Sequence, residues 1–419
     1  MGRCCNSGFH PFSVSLGDRP LFEFMISQEH ASFRVHETSF GSATVSNSIP
    51  DEDEEIWIAS FVNYPTDHRY YDLVYETLKE QFSHHYLILK DRDGQTRAIQ
   101  PFLIVHQDLV TGTPTSVRRF TERIRRWFPS CLKLPMLMVG CSAGEGDLAR
   151  DRLTDSVEWV AKALKECLPL VGKELKAVLI VFKDFPKWYR EFLDGLCSAG
   201  FARIPSMPAT KLELNFVDFE EYLKTRVSYT MRKNLRKKFR KAESSSPIQV
   251  ESVNDITPYI DQVLPLYHQT LNRSEFRFEE LNSSYFCGLG QRMGDRARFL
   301  IWRQKGRIIA FACCLVHDGV LRDNYIGLDY TVAFDYHLYF VTWRDTIIWA
   351  LNNGVHTYHS APLNYDPKYH FRMKLDPLDL YVRSPYRWLN PILKRVLPLL
   401  EPTRYNKTIQ KFDNAKELW

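Results

Sequence analysis

The stretch FLIWRQKGRIIAFACCLVH, residues 299–317, has a looser counterpart earlier in the chain, YLILKDRDGQTRAIQPFLIVH at residues 86–106. Each copy opens with a short apolar run, turns at a charged residue followed by glycine (Asp93-Gly94 and Lys305-Gly306), and returns as a longer apolar run. That pattern predicts a β-hairpin, because glycine supplies the positive φ that a tight turn between twisted strands requires. The segments beyond the two hairpins are alike as well. A helix is predicted over residues 154–168 and a buried strand over 177–182; their counterparts past the second hairpin are 334–353, closed by Gly354, and 355–360. The copies lie about 210 residues apart, a domain-sized interval, so the repeat implies two related α/β halves rather than an array of small units.

Working outward, the organisation reads as an N-terminal extension, partly ordered, over residues 1–50, then a first half over 51–210. A strand and basic linker helix over 211–247, a second half over 248–385 and a helical tail over 386–419 complete the chain. Residues 51–55 form an acidic run before a strand-like IWIASF, and residues 66–81 and 186–199 read as helices. The loop CSAGEGD, residues 141–147, either offers backbone N–H groups to an anion or is a plain glycine-bearing turn. The segment MRKNLRKKFRK, residues 231–241, carries seven Arg or Lys in eleven positions. Asp218 and Glu221 stand at capping-box spacing, and Val227, Met231, Leu235, Phe239 and Ala242 recur at steps of four and three. One amphipathic helix joining the halves is therefore expected, its apolar stripe packed inward. Its cations form a solvated face, a surface that steers an anionic donor, or a nucleic-acid contact; aromatic residues are not interleaved with them, as stacking on bases would want. The amphipathic tail, residues 388–400, is read as a packing helix rather than a membrane anchor.

Composition narrows the class. At 419 residues the chain can bury two apolar cores, and 44% hydrophobic with 25% charged residues is an ordinary globular balance, excluding disorder throughout. No uninterrupted apolar run approaches the roughly 18 residues of a membrane span, and the start lacks the apolar block of a secretory signal, so a cytoplasmic location is expected. The nine cysteines include no CxxC pair, so no metal site is expected, and Cys313 and Cys314 are read as small hydrophobes inside a strand. His317, His337 and His359 have no metal-ligand spacing either.

Four stretches then carry a family resemblance: FVDFEEYLKTRVSYTMRKNLRKKFRKAE from residue 216, GRIIAFACCLVHDGVLRDNYIGLDY from 306, TIIWALNNGVHTYHSAP from 346 and YDPKYHFRMKLDP from 365. Together they resemble the FemAB-like tandem acyltransferases of the GNAT superfamily over roughly residues 210–385. The resemblance implies an α/β (α+β) fold of two GNAT-like domains in tandem, mixed sheets flanked by helices, joined by the long basic helix. It also implies transfer of an acyl or aminoacyl group to an amine on a small molecule or peptide. The donor is acyl-CoA, or an aminoacyl-tRNA as in FemAB-type peptide-bond formation. The chain departs from the family in two places. The glycine turn that cradles the donor's pyrophosphate is absent, since TVAFDYHLYF comes directly after Asp329–Tyr330, and Gln291, Gly294 and Arg296 match it only in part. Residues 248–298 also leave no room for the long helical hairpin common among the tRNA-dependent members.

Amine acylation needs a proton acceptor for the nucleophile and donors for the oxyanion and leaving group. Asp329 is expected as general base or amine anchor and Tyr325 as proton donor to the leaving group, both near the carboxyl end of a central strand. Their bland counterparts are a capping aspartate and an interfacial tyrosine. For the donor the candidates are Tyr365, Lys368 and Arg372 in the closing segment, with Arg232 and Arg236 on the basic helix; for the acceptor they are His268, Arg273 and Glu275. The reading is an N-acyltransferase with its crevice in the second half. FemAB-type aminoacyl transfer and a non-catalytic binding protein on the same scaffold are the alternatives.

Overall fold

The computed structural model describes residues 34–108, 115–126, 133–244, 246–274 and 277–419, and Val35–Trp419 form one compact unit. The first half runs β1 (Val35–Thr38), β2 (Gly41–Ser46), α1 (Glu54–Phe61), α2 (His68–Leu78), β3 (Ser83–Lys90), β4 (Thr96–Asp108), β5 (Lys133–Val139), α3 (Glu158–Glu174), β6 (Leu179–Pro186) and β7 (Ala202–Pro205). After β8 (Ala209–Glu213) come α4 (Phe219–Thr225) and α5 (Tyr229–Glu243). The second half repeats the order: β9 (Gln249–Val253), α6 (Ile260–Leu271), α7 (Ser283–Arg292), β10 (Ala297–Gln304), β11 (Arg307–His317), β12 (Val320–Leu328), α8 (Leu338–Asn352), β13 (Thr357–Ser360), α9 (Tyr365–His370) and β14 (Lys374–Asp376). The chain then continues through β15 (Leu378–Arg383) and α10 (Asn390–Leu400).

The repeat is real in three dimensions. One sheet is ordered β1-β2-β3-β4-β5-β6-β15-β7 and the other β9-β10-β11-β12-β13-β8-β14. The two quoted hairpins, β3-β4 and β10-β11, occupy equivalent slots. Lys305 (φ 50) and Gly306 (φ 77) both lie in the left-handed region, the requirement of the two-residue turn that fits the strand twist. Beyond each hairpin a strand pairs in parallel with the one after the helix, β5 with β6 and β12 with β13.

The slot beside each of those parallel pairs is filled by the other half. β15, from the end of the chain, inserts between β6 and β7, whereas β8, next in sequence after β7, inserts between β13 and β14. The exchanged strands bury apolar side chains in the sheets they join, Leu378, Tyr381 and Val382 in one and Leu212 in the other, each at roughly 1.5–3 kcal/mol of transfer free energy. The halves also meet through equivalent helices. Tyr70 and Tyr285, each three residues past the N-cap of α2 or α7 (Asp67 and Asn282), share a hydrogen bond of 2.9 Å. Gly288 permits the approach, because a Cβ there would lie 2.4 Å from Leu73 Cδ1.

Three expectations change. IWIASF lies within α1, not a strand, and buries Ile56, Trp57, Ser60 and Phe61, a helical spacing that a six-residue window hides. The expected single linker helix is two. Asp218 caps α4 through Glu221 N at 2.7 Å, and after a break at residues 226–228 Ser228 caps α5 through Met231 N at 3.4 Å. Leu235, Phe239 and Ala242 on α5 do face the core as expected. Finally, the first sheet starts at Val35, inside the stretch expected as an extension. Ala43 and Val45 on β2 are buried there.

Candidate functional site

β12 is the central strand of the second sheet, and two features open it. Its parallel pairing with β13 covers only Val320–Asp323, ending opposite Ser360. Its pairing with β11 shifts between Cys313–Tyr325 and Cys314–Asp323, leaving Asn324 without a β11 partner. A bulge at the point where two parallel strands part re-aims side chains and frees backbone groups. Gly327 then lets α6 press on the strand, since a Cβ would stand 2.7 Å from Tyr267 N.

Two clusters of polar side chains gather at this opening. In one, the Tyr325 hydroxyl donates to Glu279 Oε1 at 2.9 Å. Burial pushes the Glu279 carboxyl above its ordinary range, with Lys183 and the Tyr325 hydrogen bond pulling the other way. Lys183 comes from the first half, on β6 just past the end of its parallel pairing with β5, where its Nζ lies 2.8 Å from Asp184 and donates to Gly144 O at 3.0 Å. Burial works against its charge, but Asp184 and Glu279 hold its pKa above the ordinary lysine value. In the other cluster, Asp323 accepts from Tyr358 OH at 2.7 Å, and Lys368 Nζ donates to Ala361 O, one residue beyond β13. Burial drives both members toward their neutral forms: Asp323 upward against Tyr358 and Lys368, and Lys368 down to about 7 against Asp323.

The loop after β5 approaches the same strand end from the first half. Gly146 packs so tightly on the Lys183 carbonyl that a Cβ would lie 2.4 Å from it. Glu145 is thereby held 3.1 Å from Arg322 and 3.4 Å from His359, which also lies 3.3 Å from Asp376. So CSAGEGD is a cross-half contact made by its glutamate. The splayed end of β12-β13 faces residues of both halves.

Of the residues expected from sequence, Tyr325 and Lys368 lie at the opening. Asp329 is fully buried, with one carboxylate oxygen taking Thr331 N at 3.0 Å and Thr331 Oγ1 at 2.6 Å and the other paired with Arg307. It holds the turn that ends β12, and its oxygens are already engaged, so its geometry is that of the capping aspartate. Tyr365 packs with Leu375, Ile409 and Phe412 and donates to Pro208 O at 2.8 Å, a structural setting. Arg372 is exposed over the Tyr369 ring. Arg232 caps α4 through the carbonyls of Leu223 and Lys224, and Arg236 pairs with Glu220 at 2.6 Å, so neither reaches the opening as expected of donor ligands. His268 sits 3.5 Å from Glu280, and Arg273 lies over the Tyr330 ring at 4.1 Å; Glu275 falls outside the described residues. Lys238 and Lys241 are the cations of α5 that approach the start of α8. Lys238 Nζ is 4.3 Å from the Phe340 centroid, and both lysines help burial lower the His337 pKa.

Sequence reasoning passed over Glu279, Lys183, Asp323 and Tyr358. Glu279 lies in an aperiodic polar stretch, Asp323 in the polar triplet Arg322-Asp323-Asn324 and Tyr358 in the strand Thr357-Tyr358-His359-Ser360, so no local pattern marks these three. Cys313 and Cys314 are buried with their thiols pushed up by desolvation, as small hydrophobes would be.

Comparison with known proteins bears on the fold. Residues 230–369 match the acetyltransferase (GNAT) domain model. The FemX crystal structure superposes with a TM-score of 0.50 at 11% identity, covering 84% of this chain and 99% of that one. A tandem GNAT protein from the clavulanic acid biosynthesis pathway superposes at 0.46 and 9% identity, covering 82% and 99%. A putative 8-amino-7-oxononanoate synthase 2 of Mycobacterium tuberculosis is 22% identical over 258 residues, 61% of this chain and 33% of that protein. The chain thus spans about a third of the length of the curated relatives it matches. Residues 230–369 thus carry a GNAT acetyltransferase domain, and the chain as a whole shares the fold of FemX.

Proposed function

We propose that this protein is an N-acyltransferase that moves an acyl group from acyl-CoA to an amine in the crevice between its halves. The observation that carries the reading is the Tyr325–Glu279 pair beside the bulge at Asn324, where β12 and β13 part. A half-buried glutamate with a raised pKa is suited to anchor the acceptor's ammonium by charge and then to take its proton, freeing the neutral amine that attacks. As the tetrahedral adduct collapses and its C–S bond breaks, Tyr325, already hydrogen-bonded, donates its proton to the departing thiolate and recovers the one that Glu279 took; the second N–H proton, released as the amide forms, passes through Glu279 to water. The carbonyl oxygen that gains charge is met by backbone N–H groups at the bulge, the economical way to stabilise an oxyanion.

Anion binding by the donor is supported by Lys238, Lys241 and His337 around the first turn of α8, which stand where the glycine turn of the family is missing. Lys368 and Asp323 then form the polar floor of the same opening. The base role expected of Asp329 passes, in this reading, to Glu279.

A thermal-shift titration tests it. Acetyl-CoA at 100 times its Kd adds about 2.7 kcal/mol to the folded state and raises the Tm. A shift with charged tRNA instead favours aminoacyl transfer, and no shift with either favours a scaffold without a donor site.

A further inference from the structure

α10 has two apolar faces, and only one of them is used. Leu397 is buried where the helix packs against β7. A second stripe, formed by Trp388 in the 3-10 turn before the helix and by Ile392, Val396 and Leu399 on it, recurs at steps of four, four and three and remains 70%, 52%, 40% and 64% exposed. Tyr386 and Tyr405 border it at 39% and 55% exposure, and the Tyr405 hydroxyl donates to Leu399 O at 2.7 Å. Arg387, Lys394 and Arg395 are exposed along its flank, and residues 386–400 contain no acid.

Large apolar side chains left in water at helical spacing, rimmed by aromatic rings and charges of one sign, fit the boundary between lipid headgroups and acyl chains. No described helix is long and apolar enough to cross a membrane, so the contact would lie in the plane of the surface. Charge selects the occupant. A two-fold pairing of this face with itself would set Arg387, Lys394 and Arg395 near their own images, whereas an anionic leaflet attracts all three. We infer that α10 is a docking surface for an anionic bilayer, with Trp388, Ile392 and Leu399 inserted and the cations at headgroup level.

The test uses the full chain and sedimentation with vesicles of phosphatidylcholine, with or without about 30% phosphatidylglycerol. The wild type is expected to bind the anionic vesicles at least about tenfold more tightly than the neutral ones, and to release them as salt is raised. Ile392→Asp with Leu399→Asp should lower binding to anionic vesicles about tenfold or more. Arg387→Glu, Lys394→Glu and Arg395→Glu together should abolish the preference for phosphatidylglycerol. All five positions are exposed, so an unchanged Tm certifies folding in each variant. The inference is overturned if the wild type ignores anionic vesicles, or if the variants bind them as well as it does. It is also overturned if sedimentation reveals a dimer that Ile392→Asp dissociates, because a second copy then covers the stripe.

Discussion

Substituting Glu279→Gln removes one charge and little else. Glutamine still accepts the Tyr325 hydroxyl, now 2.9 Å from the carboxylate, but a neutral acceptor is worth about 1 kcal/mol less than a charged one. Proton transfer by a positioned base contributes roughly 100-fold to 10,000-fold in rate. The expected fall in kcat/KM is therefore at least about 100-fold, or about 2.7 kcal/mol at 1.36 kcal/mol per factor of ten. Stability should hardly change. Burial raises the Glu279 pKa, so the folded state holds this proton more tightly than the unfolded chain. The carboxyl's contribution is then favourable in acid and is lost as pH rises through its folded value. Glutamine escapes that loss, and Lys183 keeps Asp184 at 2.8 Å as a counter-charge. The assay is thiol release from acetyl-CoA with a panel of primary amines, across pH. The wild type should show an acid limb set above the ordinary carboxylate range, and the variant should lack it. Unchanged turnover, or an acid limb surviving the substitution, would remove Glu279 from the chemistry.

Three further perturbations probe the frame around it. Lys368, lowered from 10.5 to about 7 by burial, makes the folded state prefer the neutral amine; wild-type stability relative to Lys368→Met should rise by up to about 1.4 kcal/mol per pH unit within that window, as urea denaturation at several pH values would report. Asp329→Asn should cost about 1–2 kcal/mol of stability through its bonds to Thr331 and leave turnover within threefold or so, whereas a large kinetic loss in a stable variant would return Asp329 to the site. A chain ending at Asp376 lacks β15, so the first half should fail to fold cooperatively, and circular dichroism of the full chain should show one unfolding transition; two separate transitions would contradict coupling through the exchanged strands.

Much of the frame was legible because it is local. Hairpin β10-β11 is written in two apolar runs around Lys305-Gly306, and its turn is what those residues must form. The repeat emerged from finding the same local pattern again. Capping at Asp218 was legible for the same reason, although the break before Ser228 was not, since the apolar stripe runs across it and only the packing of α4 and α5 as separate helices reveals the gap. Of the residues expected at the site, Tyr325 and Lys368 lie near the parting of β12 and β13, while Asp329, Tyr365, Arg232 and Arg236 have other partners.

What the sequence by itself determined is a duplicated hairpin-helix-strand unit, its helix faces and its turns, because such features depend on neighbours within a few residues. Tertiary structure alone decided that β8 and β15 trade sheets, since a strand's alternation names its buried face and never its partner. It also decided that Glu279 meets Tyr325 and Lys183, and that Asp323 meets Lys368, across 46, 96 and 45 positions of chain. Burial then changed what those groups can do, and desolvation is a property of the packed molecule that no local pattern records.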